Sequence, residues 1–390
     1  MKILHLIIDH QVVERTMGIY EQTFKGYNDI IIFDLFNKPF KHLDKINTSK
    51  VVKLGKGVKE GKKMLFTQYT HIVAHFLTMD MIDFIKCAPS NIHVCWEIYG
   101  WDLYNQFQCQ LGVKISYTDP SKYAKNNKYY FIERFLTPLY NFALHLKGVK
   151  YISNRSKKEH LDYIATRIDS IQACCKYDAV AVMKYANRDI PWFESFNYSL
   201  KETLGDLYDH PFNDNKDILI GNSASFSNNH FYVINKLNNT NFPDDCRIIM
   251  PISYGGNALY REDIKSVYRE KYGSKVEFIT DYMHLHEYNK LFLRLRSMIL
   301  SSWRQESIGT VIMGLYLGVK VFMSEYSPLY KWMHECGFIL KTIEDAKNID
   351  FATPLTLEEK VHNRNLVLEK YSEDVFATTL NIHFYNGGDK

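Results

Sequence analysis

The sequence predicts an α/β protein made of two parallel, doubly wound sheets in series. Three observations predict it. Short apolar runs alternate with helix-like stretches along both halves, the pattern of strands joined by crossover helices. The chain has 390 residues, enough for two domains of ordinary size. Several strand ends run straight into polar, small-residue helix starts, where open parallel sheets hold their ligands.

In the N-terminal half, strands are expected at 2–9, 29–36, 71–76, 91–98, 149–153 and 179–185. Helical stretches fall near 78–88, 101–110, 130–146 and 156–167. The third of these carries Phe131, Phe135, Leu136, Leu139, Tyr140, Phe142 and Leu146 at helical spacing, with Pro138 placed to kink it. A core helix and a membrane-facing one both fit it. Residues 187–216 hold Pro191, Gly205 and Pro211 with little periodicity and read as the interdomain connection.

A second series begins at Asp217-Ile218-Leu219-Ile220, a strand entering Gly221-Asn222-Ser223. A helix over 228–236, a strand at 247–251 and a helix over 257–271 follow. Next come a strand at 276–279, a helix near 284–296, a strand opening at 298 and another at 319–323. Helices over 356–370 and 373–383 close the chain. The boundaries drawn are 1–190 for the first domain, 191–216 for the linker, 217–354 for the second domain and 355–390 for helices packing back on the first.

Composition bounds the function. Hydrophobic residues make up 46% and charged residues 24%, as in a soluble globular protein. No apolar stretch is long enough to cross a bilayer, and the N-terminus starts like a strand without a signal-peptide cleavage site. Seven cysteines, without paired spacing, fit reduced thiols in a cytoplasm. A net charge of +4 is too weak to argue for nucleic acid. Lysines do cluster at Lys50, Lys53, Lys56, Lys59, Lys62 and Lys63, either as a solvated loop or as a contact for anionic lipid.

The chemistry gathers at three strand ends in the second half. Asn222 and Ser223 offer polar donors for a phosphate, although an ordinary capped helix start uses the same residues. Pro251, Tyr254 and Asn257 follow a second strand. After a third come Arg304 and Gln305, then a helix opening on Ile308, Gly309 and Thr310. A helix N-terminus attracts anions, and a first-turn glycine lets one approach the backbone. A guanidinium can grip a diphosphate with two hydrogen bonds and steady it as it leaves. In the first half, Trp96-Glu97-Ile98-Tyr99-Gly100-Trp101-Asp102 sets two carboxylates among aromatics. Glu97 or Asp102 is a candidate base, and a helix cap is the plainer role for Asp102. Asp9, His10 and His75 also follow strands. His284 and His286, at i and i+2 on a helix, face apart and have no ligand cluster, so no metal and no cofactor are expected. Phosphate-binding P-loop and dinucleotide glycine fingerprints are absent.

Taken in order, Trp96-x-x-Tyr99-Gly100-x-Asp102-Leu103-Tyr104, Gly221-Asn222-Ser223 with Asn228-Asn229-His230, Pro251-x-x-Tyr254 with Asn257, and Arg304-Gln305-x-x-Ile308-Gly309-Thr310 resemble a known transferase family. It is glycosyltransferase family 56, the TDP-Fuc4NAc:lipid-linked saccharide Fuc4NAc transferases. The resemblance spans roughly 90–330 and is most specific at Arg304 to Thr310. It implies a GT-B fold, two Rossmann-like domains facing across a cleft, with the nucleotide mainly on the C-terminal one. It implies transfer of 4-acetamido-4,6-dideoxygalactose from a thymidine diphosphate donor, within the wider class of TDP- and UDP-sugars, to an undecaprenyl-diphosphate-linked saccharide, as in enterobacterial common antigen. The enzyme would lie on the inner face of the cytoplasmic membrane as a peripheral protein. On this reading Asn222, Ser223, Arg304, Gly309 and Thr310 hold the diphosphate, Gln305 is a further donor-binding residue, and Pro251, Tyr254 and Asn257 border the nucleoside. Two alternatives stand beside it: a non-hydrolysing sugar-nucleotide epimerase of the same fold, and, from another class, a non-catalytic nucleotide-sugar- or glycan-binding protein.

Overall fold

The computed structural model describes residues 1–34, 40–43, 50–124, 154–196, 199–212, 215–238, 242–345 and 350–386. The expected helix over 130–146 and strand over 149–153 lie outside the described residues. The chain forms two compact units. The first comprises Met1–Val113, Ile132–Ser199 and Glu373–Lys390; the second comprises Lys114–Phe131 and Leu200–Ser372.

The first unit holds β1 (Ile3–Ile7), β2 (Asn28–Asp34), β3 (Lys50–Lys53), β4 (His71–His75), β5 (His93–Ile98), β6 (Ser170–Ala173) and β7 (Trp192–Glu194). They form a parallel sheet in the order β3-β2-β1-β4-β5-β6-β7. β1 is wholly buried, as a central parallel strand covered on both faces should be. The chain winds outward from β1 through β2 to β3, then returns to lay β4 on the other side of β1. The helix Gln11–Thr23 turns Thr16 and Tyr20 inward, and the last helix, Glu373–Asn386, sets Phe384 against Tyr20 and Phe24. Residues 179–185 are not a strand. They belong to the helix Lys176–Ala186, which buries Asp178, Ala179 and Val182 at helical spacing. Short apolar runs carry both periods, and here tertiary packing chose the helix. The strand of that region is β6, and β7 lies inside the stretch read as connection.

The second unit holds β8 (Asp217–Ile220), β9 (Ile248–Pro251), β10 (Val276–Ile279), β11 (Leu295–Leu300), β12 (Lys320–Met323) and β13 (Lys341–Thr342). This sheet is also parallel, in the order β10-β9-β8-β11-β12-β13. Ile218, Ile220, Ile248 and Met250 pack against Val233, Leu237, Tyr260 and Ile264 of the covering helices. Full burial of each such side chain stabilises by about 1.5–3 kcal/mol, so this layer fixes the strand ends rigidly. The helix expected over 284–296 stops at Phe292, and β11 begins three residues later. Ile308, Val311, Ile312 and Leu315 are buried, as their spacing predicts, in the helix Ile308–Tyr316. Gly318, at φ +77°, turns the chain out of it.

Candidate functional site

In the second sheet the connections diverge between β8 and β11. β8 leads outward to β9 and β10, and β11 returns to the other side of β8. Loops after two such strands run in opposite directions and leave an opening at their carboxyl ends. The loops there are 221–229 and 301–307.

After β8, Gly221 takes φ +69°. A Cβ at that position would stand 3.0 Å from His230 Nε2 and 3.1 Å from Asn228 Oδ1, so the turn requires glycine. The loop then braces itself. The Asn222 amide donates to Asn228 Oδ1 (3.0 Å), and Asn228 Nδ2 donates to Ser223 Oγ (3.1 Å). The Ser223 hydroxyl donates to Ser225 Oγ (2.9 Å). Ser223 therefore serves the loop's own shape, while Asn222 Oδ1 is buried without a hydrogen-bond partner among the described residues. Asn229, at φ +54°, donates through Nδ2 to the Ser301 carbonyl (2.7 Å) and ties this loop to the end of β11. His230 is buried, and burial depresses its pKa to about 4, so it is neutral; its Nε2 has no partner among the described residues.

After β9, Asn257 caps the helix Ala258–Tyr272: Oδ1 accepts from the Tyr260 amide (2.9 Å) and Nδ2 donates to the Tyr123 carbonyl (3.3 Å). Its side chain is thereby occupied. Pro251 is buried as the last residue of β9. The Tyr254 carbonyl accepts from the Ala224 amide (2.8 Å), closing the 254–256 turn onto the β8 loop. Tyr254 is 54% exposed; burial of the rest of its side chain, then the Glu306 carboxylate and Tyr282, push its pKa up.

After β11, Arg304 does not stand open to a ligand. Its guanidinium lies 3.2 Å from Glu306 Oε1, and Glu306 Oε2 lies 3.1 Å from the Ser302 hydroxyl. Gln305 is buried, with Oε1 unpartnered among the described residues. Ser307 precedes the helix in the left-handed conformation, φ +64°, and makes no capping bond. Serine is among the best capping residues, so its failure to cap leaves donors unserved. Among the described residues no acceptor meets the Ile308, Gly309 and Thr310 amides, and a Cβ on Gly309 would have open space within 4 Å. Thr310 lies beside the buried Tyr288 hydroxyl. Three free amides, the positive end of a helix and an open glycine make a seat for an anion.

In the first sheet the corresponding divergence lies between β1 and β4. Asp9, after β1, accepts from the Lys41 and His42 amides (2.7 and 3.0 Å). His10 caps the Gln11–Thr23 helix by accepting from the Val12 amide at Nδ1 (3.2 Å). Burial, with His42 nearby, lowers its pKa to about 4. Asp102 is fully buried and spends its carboxylate on the Trp96 indole (2.8 Å) and the Tyr99 and Leu77 amides (3.0 and 3.3 Å). Burial outweighs those donors and raises its pKa to about 6. Its geometry is that of a brace. Glu97 is also fully buried, in a chain that composition and spacing alone do not reveal. His75 Nδ1 lies 2.9 Å from Glu97 Oε2, and His75 Nε2 lies 3.0 Å from His5 Nδ1. The Tyr99 hydroxyl lies 2.9 Å from Glu97 Oε1, and the Tyr99 ring stacks on Phe76 at 4.2 Å. The signal for this chain was register: His75 and Glu97 are direct partners on β4 and β5. Among the described residues no three His, Cys, Asp or Glu side chains gather to hold a metal ion.

Residues 145–351, a little over half the chain, match the family described as 4-alpha-L-fucosyltransferase, glycosyl transferase group 56. Among solved structures, sucrose-phosphate synthase from Thermosynechococcus elongatus is similar, with a TM-score of 0.65 at 10% identity over 99% of both chains. Anabaena HepE, solved with UDP and glucose, has a TM-score of 0.61 at 12% identity, over 98% of this chain and 99% of that one. Trehalose 6-phosphate synthase from Burkholderia multivorans has a TM-score of 0.55 at 9% identity, over 99% of this chain and 97% of that one. No curated protein matches the chain. At such identities the structural likeness speaks for the fold, which is GT-B.

Proposed function

We propose, from the premise that the chain belongs to the glycosyl transferase group 56 family and is a glycosyltransferase, that it takes its sugar from a nucleoside diphosphate donor whose diphosphate rests on the first turn of the Ile308–Tyr316 helix. The observation that carries the reading is that turn: uncapped, with three free amides and an open Gly309 at the divergence of β8 and β11. The Anabaena neighbour's complexes with UDP and UDP-glucose support the same ligand class here. Within the class, the sequence resemblance favours TDP-4-acetamido-4,6-dideoxygalactose as donor. It favours an undecaprenyl-diphosphate-linked saccharide of a bacterial surface glycan as acceptor, met at the inner face of the cytoplasmic membrane. Among the described residues no helix is long and apolar enough to cross a membrane.

In the reaction an acceptor hydroxyl attacks the anomeric carbon and gives up its proton to solvent or to the departing diphosphate, the bond from that carbon to the diphosphate breaks, and negative charge collects on the leaving group. The Ile308, Gly309 and Thr310 amides meet that charge as fixed dipoles. Arg304 adds a full positive charge once its hold on Glu306 is shared with the phosphate. Asn222 and Gln305 contribute the polar side chains that end unpartnered there. Tyr254 borders the nucleoside, and Pro251 and Asn257 shape its loop rather than touching it. Asp102 and Glu97 hold the loops after β4 and β5 in place, since neither exposes its carboxylate.

The test is incubation with TDP- and UDP-sugars, with and without lipid-linked acceptor. Nucleoside diphosphate release that requires acceptor is expected. Isomerised donor without acceptor, or donor binding without turnover, overturns the reading in favour of an epimerase or a binding protein.

A further inference from the structure

We infer that β3, the helix Gly57–Lys62 and the turn to Leu65 form a docking face for an anionic lipid bilayer. The inference deepens the proposed acceptor chemistry, because a lipid-linked acceptor must be met at a membrane surface.

Charge is the first observation. Residues 50–65 carry six lysines and one acid, Glu60, a net of +5, whereas the whole chain nets +4. The remaining residues therefore net −1, and the positive character of the chain resides in this one segment. Lys50 and Lys63 share Glu60 at 3.4 Å each. Lys56, Lys59 and Lys62 are exposed, and among the described residues no acid lies within ion-pair distance of them.

Apolar exposure is the second. Val51 (43%), Leu54 (39%), Val58 (42%) and Leu65 (66%) stand among those lysines. Lysines on an edge strand guard against strand pairing, which accounts for Lys50 and Lys53 on β3. That role leaves Leu54, Val58 and Leu65 in water without a reason. Basic residues interleaved with exposed aliphatic ones match a lipid surface, where the charges meet headgroups and the side chains enter the headgroup–acyl boundary.

Packing is the third. Gly57 and Gly61, four residues apart, turn the bare face of the helix onto the helix Met79–Ile85. A Cβ on Gly57 would stand 2.1 Å from the Asp80 carbonyl oxygen, and one on Gly61 would stand 2.9 Å from that of Phe84. The Gly55 amide donates to Asp80 Oδ2 (2.8 Å) and pins the preceding turn. With its glycine face inward, the helix holds Lys56, Val58, Lys59 and Lys62 outward.

The test is flotation of the full chain with phosphatidylcholine vesicles, with and without phosphatidylglycerol, at low and high salt. Binding is expected only with phosphatidylglycerol and to weaken as salt rises. Each lysine near an anionic surface is worth about fivefold in partitioning, so K56E/K59E/K62E should lose about 100-fold or more. L54S/L65S should weaken binding and keep its salt dependence. Thermal unfolding confirms that these variants fold, and transfer to a soluble saccharide acceptor should be unchanged in them. Absence of wild-type flotation at low salt, or equal flotation of the triple variant, overturns the inference. So does retention on polyglutamate without vesicle binding, which would assign the face to an acidic protein. If the wild type floats but transfers no sugar, docking stands and the transferase reading of the acceptor fails.

Discussion

Gly309→Asp separates the folding of the Ile308–Tyr316 helix from its proposed work. The position is in the first helical turn, and a Cβ there meets nothing within 4 Å, so the fold has room for the new side chain. A carboxylate near a helix N-terminus is favourable by about 0.3–1 kcal/mol. Replacing glycine inside a helix adds a few tenths more, on the order of the propensity difference between glycine and aspartate. The variant should therefore be slightly more stable than the wild type. Donor binding should move the other way. A carboxylate about 6 Å from one diphosphate charge, in a medium with an effective dielectric constant of about 20, costs about 3 kcal/mol. That is a loss of about 100-fold in affinity. Thermal unfolding and titration calorimetry with UDP and TDP read the two effects. A raised unfolding midpoint with unchanged nucleotide affinity would refute the seat on this helix.

Other consequences follow from the same geometry. Arg304→Ala should weaken nucleotide binding more than Glu306→Gln, because it leaves Glu306 unpaired beside the incoming charge; the double variant should recover part of the loss, with a coupling of about 1 kcal/mol or more, and additive effects would separate the pair from the site. Asp102 has a folded pKa of about 6, above its unfolded value. The folded state then holds a proton that the unfolded state has lost, so stability falls as pH rises from about 4 to 6, on the order of 2–3 kcal/mol from this group. Asp102→Asn should remove that slope from urea unfolding measured across pH, and an unaltered slope would count against its burial. His10, His71 and His230, near pKa 4, and His383, near 3, work in the opposite sense. Their contribution is complete above about pH 6.5 and lost as pH falls toward 4, so midpoints should drop over that window in wild type and Asp102→Asn alike.

The two sheets were legible because central parallel strands are apolar runs of distinctive composition, and eleven to fifteen residue helices such as Ala258–Tyr272 carry a full period of burial. The segment 179–185 failed because Val and Ala alternate there, and the face it buries is set by β6, seventy-odd residues from its sheet neighbour β5. The strand ends near Asn222 and Gly309 were readable from local chemistry. What local chemistry does not carry is who holds whom. The sequence offers Arg304 as a charge suited to phosphate and does not tell that Glu306 pairs with it. Nor does it tell that Asn257 spends its side chain on capping the helix that follows. The His5–His75–Glu97–Tyr99 chain depends on strand register, which joins residues far apart in sequence.

A structure of this chain with UDP or TDP bound tests the central claim most directly. Phosphate oxygens are expected within hydrogen-bond reach of the Ile308, Gly309 and Thr310 amides, with Arg304 turned from Glu306 toward them. A diphosphate bound elsewhere, with that helix turn still bare, would contradict it.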